Sequence, residues 1–501
     1  MFKEDLLDKQ DRITVLLLEQ LYWADGALSK QVLSQRLSIS LSSLNRYVEQ
    51  LVIDLQPAII SNVVELQLTP NQIQLNLAGQ ITLNELCFDH VFRNAIDYQI
   101  LLLMYRKGKV NLQDFIFTLA ISEASLYRHI QHINRVLREF KIAIRHGQLV
   151  GSELQIRYFY YQLFTQVLPL EIQTNIVHDQ YIARLESYFA YQFNTVAAQR
   201  IKLWITISRQ RQLTSVKFDQ QLPPAIAELS RNNVLFERIN LYYCQLFERT
   251  NAATVDFETK ALFAMLLGMS VFNSHATVVR QFADIYQKNY TELSRLLLAF
   301  NQTICQELAI KPEQCPFSLT KLLFDTLAQP YLFTGELATF NSAATIYYQQ
   351  FYFTAELQGL VTDVIDKLKQ SDYSQLGLIV TTNQAYFQDC LLLIINEFQT
   401  QQRREITIGL ATDFTDVFER LLIGKLQQRL HNQWLINITM YQPGHDYDLV
   451  ITNHKLATVA ADQQIYQLTH LGTKRDLHNI EEIISYIGCG RTLLEQTNSF
   501  V

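Results

Sequence analysis

The chain has 501 residues, 49% hydrophobic and 18% charged, with a net charge of −6. That length excludes a single core and calls for roughly three to five domains, while the apolar content excludes global disorder. The acidic start Met1-Phe2-Lys3-Glu4-Asp5, an apolar maximum (Leu262–Phe272) far shorter than the ~20 residues of a membrane helix, and six cysteines without a C-x-x-C pair argue against a secretory leader, a membrane span, a disulfide framework and a metal site.

Charge is unevenly spread. Residues 1–150 carry 15 Lys+Arg and 15 Asp+Glu, so the whole acidic excess lies beyond them. Within 93–157 there are 10 Lys+Arg against 5 Asp+Glu. An acidic protein with one basic module is the distribution that selective phosphate contact requires.

In chain order, Val32, Leu33 and Leu37 form the apolar side of a short helix. Ile39 then plugs a tight turn, Ser40 is placed to cap the next helix, and Leu44, Val48, Leu51 and Leu55 make a stripe at spacings of four and three. Val64–Leu68 and Ile73–Leu77 alternate with period two around Thr69-Pro70-Asn71-Gln72, which predicts a hairpin wing.

The same unit recurs 82 residues later: Leu37-Ser38-Ile39-Ser40-Leu41-Ser42-Ser43-Leu44-Asn45-Arg46 aligns with Leu119-Ala120-Ile121-Ser122-Glu123-Ala124-Ser125-Leu126-Tyr127-Arg128. Val110, Leu112, Phe115, Ile116 and Leu119 face one side of its first helix, and Leu126, Ile130, Ile133, Leu137 and Phe140 face one side of its second. Ile142–Arg145 and Leu149-Val150 flank His146-Gly147-Gln148 as a second wing. One structural unit is used twice.

The opposite face of each second helix indicates what the unit does. Copy one is expected to expose Ser42, Ser43, Asn45, Arg46 and Gln50, and copy two Ser125, Arg128, His129, His132 and Arg135. Hydroxyls near a helix N-terminus approach phosphates, and Arg, Asn and Gln pair bidentately with base edges in a major groove. Lys107, Lys109 and Arg145 add phosphate-directed charge around copy two. Ordinary helical hairpins need Leu126 in the core but have no use for an arginine repeated at Arg46 and Arg128. Double-stranded promoter DNA is therefore the expected ligand, and a homodimer or higher homo-oligomer is expected because doubled modest contacts gain avidity. Catalysis, cofactors and membrane association are not expected, and the location is expected to be cytoplasmic.

Residues 152–372 read as almost continuous helix broken at Pro169, Pro223-Pro224, Pro312, Pro316 and Pro330, enough for two bundles. Beyond 373 the pattern changes. Leu376–Thr381, Ile406–Leu410, Ile436–Met440, Tyr447–Ile451 and Ile465–Leu468 read as strands, with helices at Tyr386–Gln399, Asp416–Leu430 and Lys474–Ile487, so a parallel α/β sheet is expected. The predicted architecture is multidomain and mainly α. It comprises winged helix-turn-helix domains at 1–86 and 87–160, all-helical domains at 161–272 and 273–372, and an α/β domain at 373–501.

In this order, and in the segments Leu149-Val150-Gly151-Ser152-Glu153-Leu154-Gln155-Ile156-Arg157 and Tyr331-Leu332-Phe333-Thr334-Gly335, the chain resembles the Mga family of bacterial regulators. The first segment looks like a G-x-E-x-x-I-R signature that closes the second module in such regulators. The resemblance implies a DNA-binding transcription regulator with two phosphotransferase-regulation domains, a C-terminal IIB-like domain used for self-association, and control by histidine phosphorylation from the general phosphocarrier of the sugar phosphotransferase system. Where those domains often carry the acceptor histidine, this sequence has Lys202, seven residues before Arg209, and lysine cannot replace it; His178 and His275 are the remaining acceptor positions. The loop Thr381-Thr382-Asn383-Gln384 lacks the IIB carrier cysteine, and Cys390 falls inside the next helix. Two alternatives stay open: a IIB-like phosphocarrier component, and a protein-docking adaptor that does not bind DNA.

Overall fold

In the computed structural model, which describes residues 3–24, 26–79, 81–166, 179–214, 222–246, 252–273, 291–311, 315–335, 353–401, 405–430, 435–455, 463–469 and 472–488, both copies of the repeat fold as winged helix-turn-helix modules. The first comprises α1 (Lys9–Tyr22), β1 (Leu28–Ser29), α2 (Lys30–Arg36), α3 (Leu41–Asp54), α4 (Gln56–Ile60), β2 (Val64–Leu68) and β3 (Gln72–Leu77). The second comprises α5 (Leu83–His90), α6 (Ile96–Lys107), α7 (Leu112–Leu119), α8 (Glu123–Leu137), β4 (Ala143–Arg145) and β5 (Gln148–Val150).

The repeat is legible in capping chemistry as well as in apolar pattern. Ser29 Oγ accepts from the Val32 N–H at 3.2 Å, and Asn111 Oδ1 accepts from the Asp114 N–H at 2.7 Å. Ser40 and Ser122 do the same for Ser43 and Ser125 at 3.1 and 3.2 Å. Each cap satisfies a backbone N–H that the first helical turn leaves unpaired. Both turns pass through a left-handed residue, Ser38 (φ 52°) and Ala120 (φ 51°), which costs an L-residue about 1–2 kcal/mol. All three kinds of position keep the 82-residue spacing.

The wings differ. In the first, β1 pairs with β3, giving a three-stranded sheet in the order β1-β3-β2, a short strand the sequence reading missed. In the second, His146 (φ 50°) and Gly147 (φ 73°) form a two-residue turn with both central residues left-handed, the geometry that matches strand twist. Gly147 accepts from the Val110 N–H at 2.9 Å, and a Cβ there would collide with the Val110 carbonyl.

Then follow α9 (Glu153–Gln166), α10 (Asp179–Phe189), α11 (Thr195–Thr214), α12 (Pro224–Ser230), α13 (Val234–Leu246), α14 (Ala252–Gly268), α15 (Glu292–Glu307), α16 (Phe317–Leu332), α17 (Ala355–Lys369), α18 (Ser374–Thr382) and α19 (Gln384–Gln401). The pivot is α14, buried on every side from Ala261 to Gly268 and packed by α11, α12, α13 and α16. A helix apolar all round belongs inside a core.

Two expectations are corrected. Pro330 does not precede a break; it lies inside α16, near an end where little of the hydrogen-bond ladder remains to be lost. Leu376–Thr381 is helix, not strand. Leu376 and Val380 are buried while Leu378 is 67% exposed, so burial follows a four-residue period that a short apolar run conceals.

The chain divides into a unit over 1–394 and a second over 395–501. In the second, β6 (Glu405–Ala411), β7 (Leu435–Met440), β8 (Leu449–Thr452) and β9 (Ile465–Gln467) form a parallel sheet in the order β7-β6-β8-β9, with α20 (Asp416–Leu430) and α21 (Lys474–Gly488) as its helices. Ile406, Ile408 and Leu410 of β6 meet Leu422 and Leu426 of α20 and Ile480 and Ile484 of α21 in one core. The loop after the sheet's first strand is therefore Thr412-Asp413-Phe414-Thr415, which also contains no cysteine. No single helix among the described residues is long and apolar enough to cross a membrane.

Candidate nucleic-acid interface

Burial of Leu44, Tyr47, Val48 and Leu51 fixes the rotation of α3 and turns Ser42, Asn45, Arg46 and Gln50 to solvent. The Arg46 guanidinium lies 5.5 Å from the centre of the Tyr47 ring, a platform that leaves its hydrogen-bonding edge available. Gln50 Nε2 donates to Asp54 at 2.8 Å. Ser43 is half-buried, its hydroxyl accepting from Ser40 at 2.9 Å, so it serves the cap.

On α8, Leu126, Ile133 and Leu137 point inward and Arg128 and Arg135 are exposed, with Ser125 half-exposed in the first turn. His129 and His132 depart from the expected outward placement. Both turn Nδ1 onto the carboxylate of Asp97 on α6, at 2.7 and 2.5 Å, and Asp97 itself is 5% exposed. A neutral ring donating Nδ1–H there presents Nε2 as an acceptor. Arg135 and His132 line a groove of about 380 Å³ shared with Asp5 and Arg12 of the first module, so Arg135 faces that module as well as solvent.

Around α8, Lys107 pairs with Asp114 at 3.3 Å, Lys109 is exposed and bridges to Gln148 beside the second wing, and Arg145 is exposed at the end of β4. Asn134 fastens this wing to α8: its amide donates to the Ile144 carbonyl at 3.2 Å and accepts from the Ile144 N–H at 2.6 Å. The structure thus gathers Ser125, Arg128, Lys109 and Arg145 on one module, and Ser42, Asn45, Arg46 and Gln50 on the other. It reserves the two histidines for Asp97. No sequence signal marked Asp97, which lies 32 and 35 residues from its partners.

The signature segment closing the second module has a physical basis. Arg157 is fully buried on α9; its Nε donates to Glu153 at 3.1 Å and its two terminal nitrogens donate to the two oxygens of Glu258 on α14 at 2.8 and 2.7 Å. Arg211 on α11 donates twice to Glu153, at 3.1 and 2.8 Å. Burial alone would lower the Arg157 pKa, but the Glu258 and Glu153 carboxylates hold it above its ordinary value. The second segment singled out in the sequence is a partner of the first. Gln155 accepts from the Thr334 N–H at 3.3 Å and donates to its carbonyl, Tyr158 stacks on Phe333 with ring centres 4.4 Å apart, and Gly335 (φ 80°) lies where a Cβ would strike Phe140. The helical region and the second module are locked together through both.

Lys202, at the position lacking a histidine, pairs with Asp179, and Arg209 donates to the Tyr181 hydroxyl at 3.2 Å on the same side of α11. His178 and His275 lie outside the described residues.

Residues 81–164 match the Mga helix-turn-helix domain family, spanning α5 to nearly all of α9. The match falls on the second winged module, where the resemblance placed a helix-turn-helix domain. The chain is also similar to a "putative trans-acting regulator" of Streptococcus pneumoniae serotype 4, 29% identical over 85 residues. That match covers 16% of this chain and 17% of the relative's length.

Proposed function

We propose that the chain is a DNA-binding transcription regulator of the Mga type that reads double-stranded promoter DNA with α8 and α3. The observation that carries this reading is the repeated placement of an exposed arginine, Arg46 and Arg128, on the outer face of two equally capped second helices, one of them inside the matched domain. Ser125, Arg128, Lys109 and Arg145 supply most of the affinity, since the positive surplus lies around them. The domains at 161–272 and 273–372 act as regulation domains, a role supported by the buried ionic and aromatic links from α11, α14 and α16 to α9. Phosphorylation by the general phosphocarrier acts at His178 or His275, because Lys202 holds the corresponding place in α11.

The C-terminal α/β unit is a IIB-like association module rather than a phosphocarrier, consistent with the cysteine-free loop after β6. Exposed Val417, Phe418 and Leu421 on α20, and Leu435 and Met440 on edge strand β7, support homo-oligomerisation there. Genome-wide mapping of bound DNA tests the proposal: discrete promoter peaks that vanish in Arg128→Ala are expected, and an absence of peaks for the unaltered protein would favour the docking adaptor.

A further inference from the structure

Two thiols in the second helical region converge on one acceptor. Cys305, on α15, donates to Asn301 Oδ1 at 3.5 Å, and Cys315, just before α16, donates to the same oxygen at 3.2 Å. Asn301 is itself held by its Nδ2, which donates to Thr320 Oγ1 at 3.0 Å. Cys305 is 1% exposed, whereas Cys315 is partly exposed. Neither is in a disulfide.

We propose that Cys305 and Cys315 form a redox-modification site at which a peroxide oxidises Cys315 and Cys305 resolves the product to an intrachain disulfide. In the first step the Cys315 sulfur attacks one peroxide oxygen; the O–O bond breaks, and after proton transfer Cys315 carries a sulfenic acid and one water leaves. The Cys305 sulfur then attacks the Cys315 sulfur; the S–S bond forms, the S–O bond breaks, and the Cys305 proton leaves with the hydroxyl as a second water. Two thiols are oxidised by two electrons and one hydrogen peroxide is reduced to two waters.

The division of labour follows from exposure. An oxidant reaches Cys315 first, and Cys305 waits behind it. Burial, followed by the neighbouring Cys315, pushes the Cys305 thiol up to about 12, so it stays protonated until a sulfenic acid stands beside it. Transient intrachain pairs of this kind suit a reducing compartment better than permanent bridges do.

The site also has a route to the DNA-binding module. Cys315 sits at the start of α16, whose far end leads into Phe333 and Thr334, the residues seated on Tyr158 and Gln155 of α9. Closing the thiol pair constrains the α15–α16 junction and, through α16, that seat. This consequence rests on the DNA-binding reading; the disulfide itself does not.

The test uses the full chain, reduced, exposed to hydrogen peroxide, and digested without reductant for mass spectrometry. The peptide carrying both cysteines is expected to become lighter by two hydrogens, reversibly with dithiothreitol. Cys305→Ser is expected to stop at a Cys315 sulfenic acid trapped by a dimedone-type reagent. A disulfide to any other cysteine, or oxidation of Cys315 without a bridge in the unaltered chain, overturns the proposal. Affinity for promoter DNA, measured in parallel, is expected to fall several-fold on oxidation in the unaltered chain and to be insensitive in Cys315→Ser. A bridge that leaves affinity unchanged overturns the route through α16, and a chain that binds no DNA even when reduced overturns the DNA-binding reading while leaving the site standing.

Discussion

Arg157 and Glu258, 101 residues apart, meet through two parallel hydrogen bonds of 2.8 and 2.7 Å inside a site where both side chains are buried. A guanidinium facing a carboxylate in this fork geometry is among the most directional ionic contacts available to a protein. Here it joins α9, which ends the segment matched by the Mga helix-turn-helix family, to α14, the pivot of the helical region. Arg211 and Glu153 complete a set of two cations and two anions, so no charge in it is left uncompensated.

Removing one member should therefore cost more than the contact itself is worth. Glu258→Ala leaves Arg157 buried with only Glu153, and breaking a buried pair in this way typically costs about 3–5 kcal/mol. Chemical denaturation is expected to show a loss of that order for Glu258→Ala, and a far smaller one when Arg157 and Glu258 are both replaced by apolar residues of similar volume.

At the start of α1, Asp11 is pushed up to about 6 by burial, with Asp8 and Asp54 adding to the effect. A carboxyl that binds its proton more tightly in the folded state stabilises the fold at low pH; that contribution is complete below the ordinary value and is lost as pH rises through about 6. Asp11→Asn is expected to raise the melting temperature near neutral pH. The gain should vanish as pH falls below the ordinary carboxylate value, where the unaltered residue is protonated in both states.

The left-handed turn residue of the second module offers a test of the turn itself. Ala120→Gly relieves the steric cost at φ 51° and is expected to stabilise the chain by about 1 kcal/mol. Ser122→Ala, two residues on, removes the cap to Ser125 and is expected to destabilise it by a similar amount. Opposite signs two residues apart would not arise if this segment were an unstructured surface loop.

The repeat was legible because its signals are local: caps, a plug and an apolar stripe within a few residues of one another. The parallel sheet was legible from β6 onward for the same reason, since strands and helices alternate there at short range. What escaped was set by distance or by one-sided burial. Leu376–Thr381 is too short for its period to distinguish helix from strand, and β1 contains only two residues. His129 and His132 carry the polarity of an outward face, and only the arrival of Asp97 from α6 shows that they turn aside. Gln155 and Thr334 stood in separate segments of the sequence, and nothing in either announced that they would hydrogen-bond across 179 residues.

DNA recognition rests most on Arg128, on the exposed face of α8. Mobility shifts at one fixed salt concentration, with a promoter fragment recovered by genome-wide mapping, compare Arg128→Ala and Arg46→Ala directly. Arg128→Ala is expected to lose affinity corresponding to about 1–3 kcal/mol, the range for a bidentate base contact, and Arg46→Ala less. Unchanged binding by Arg128→Ala, or equal losses in the two variants, would contradict it.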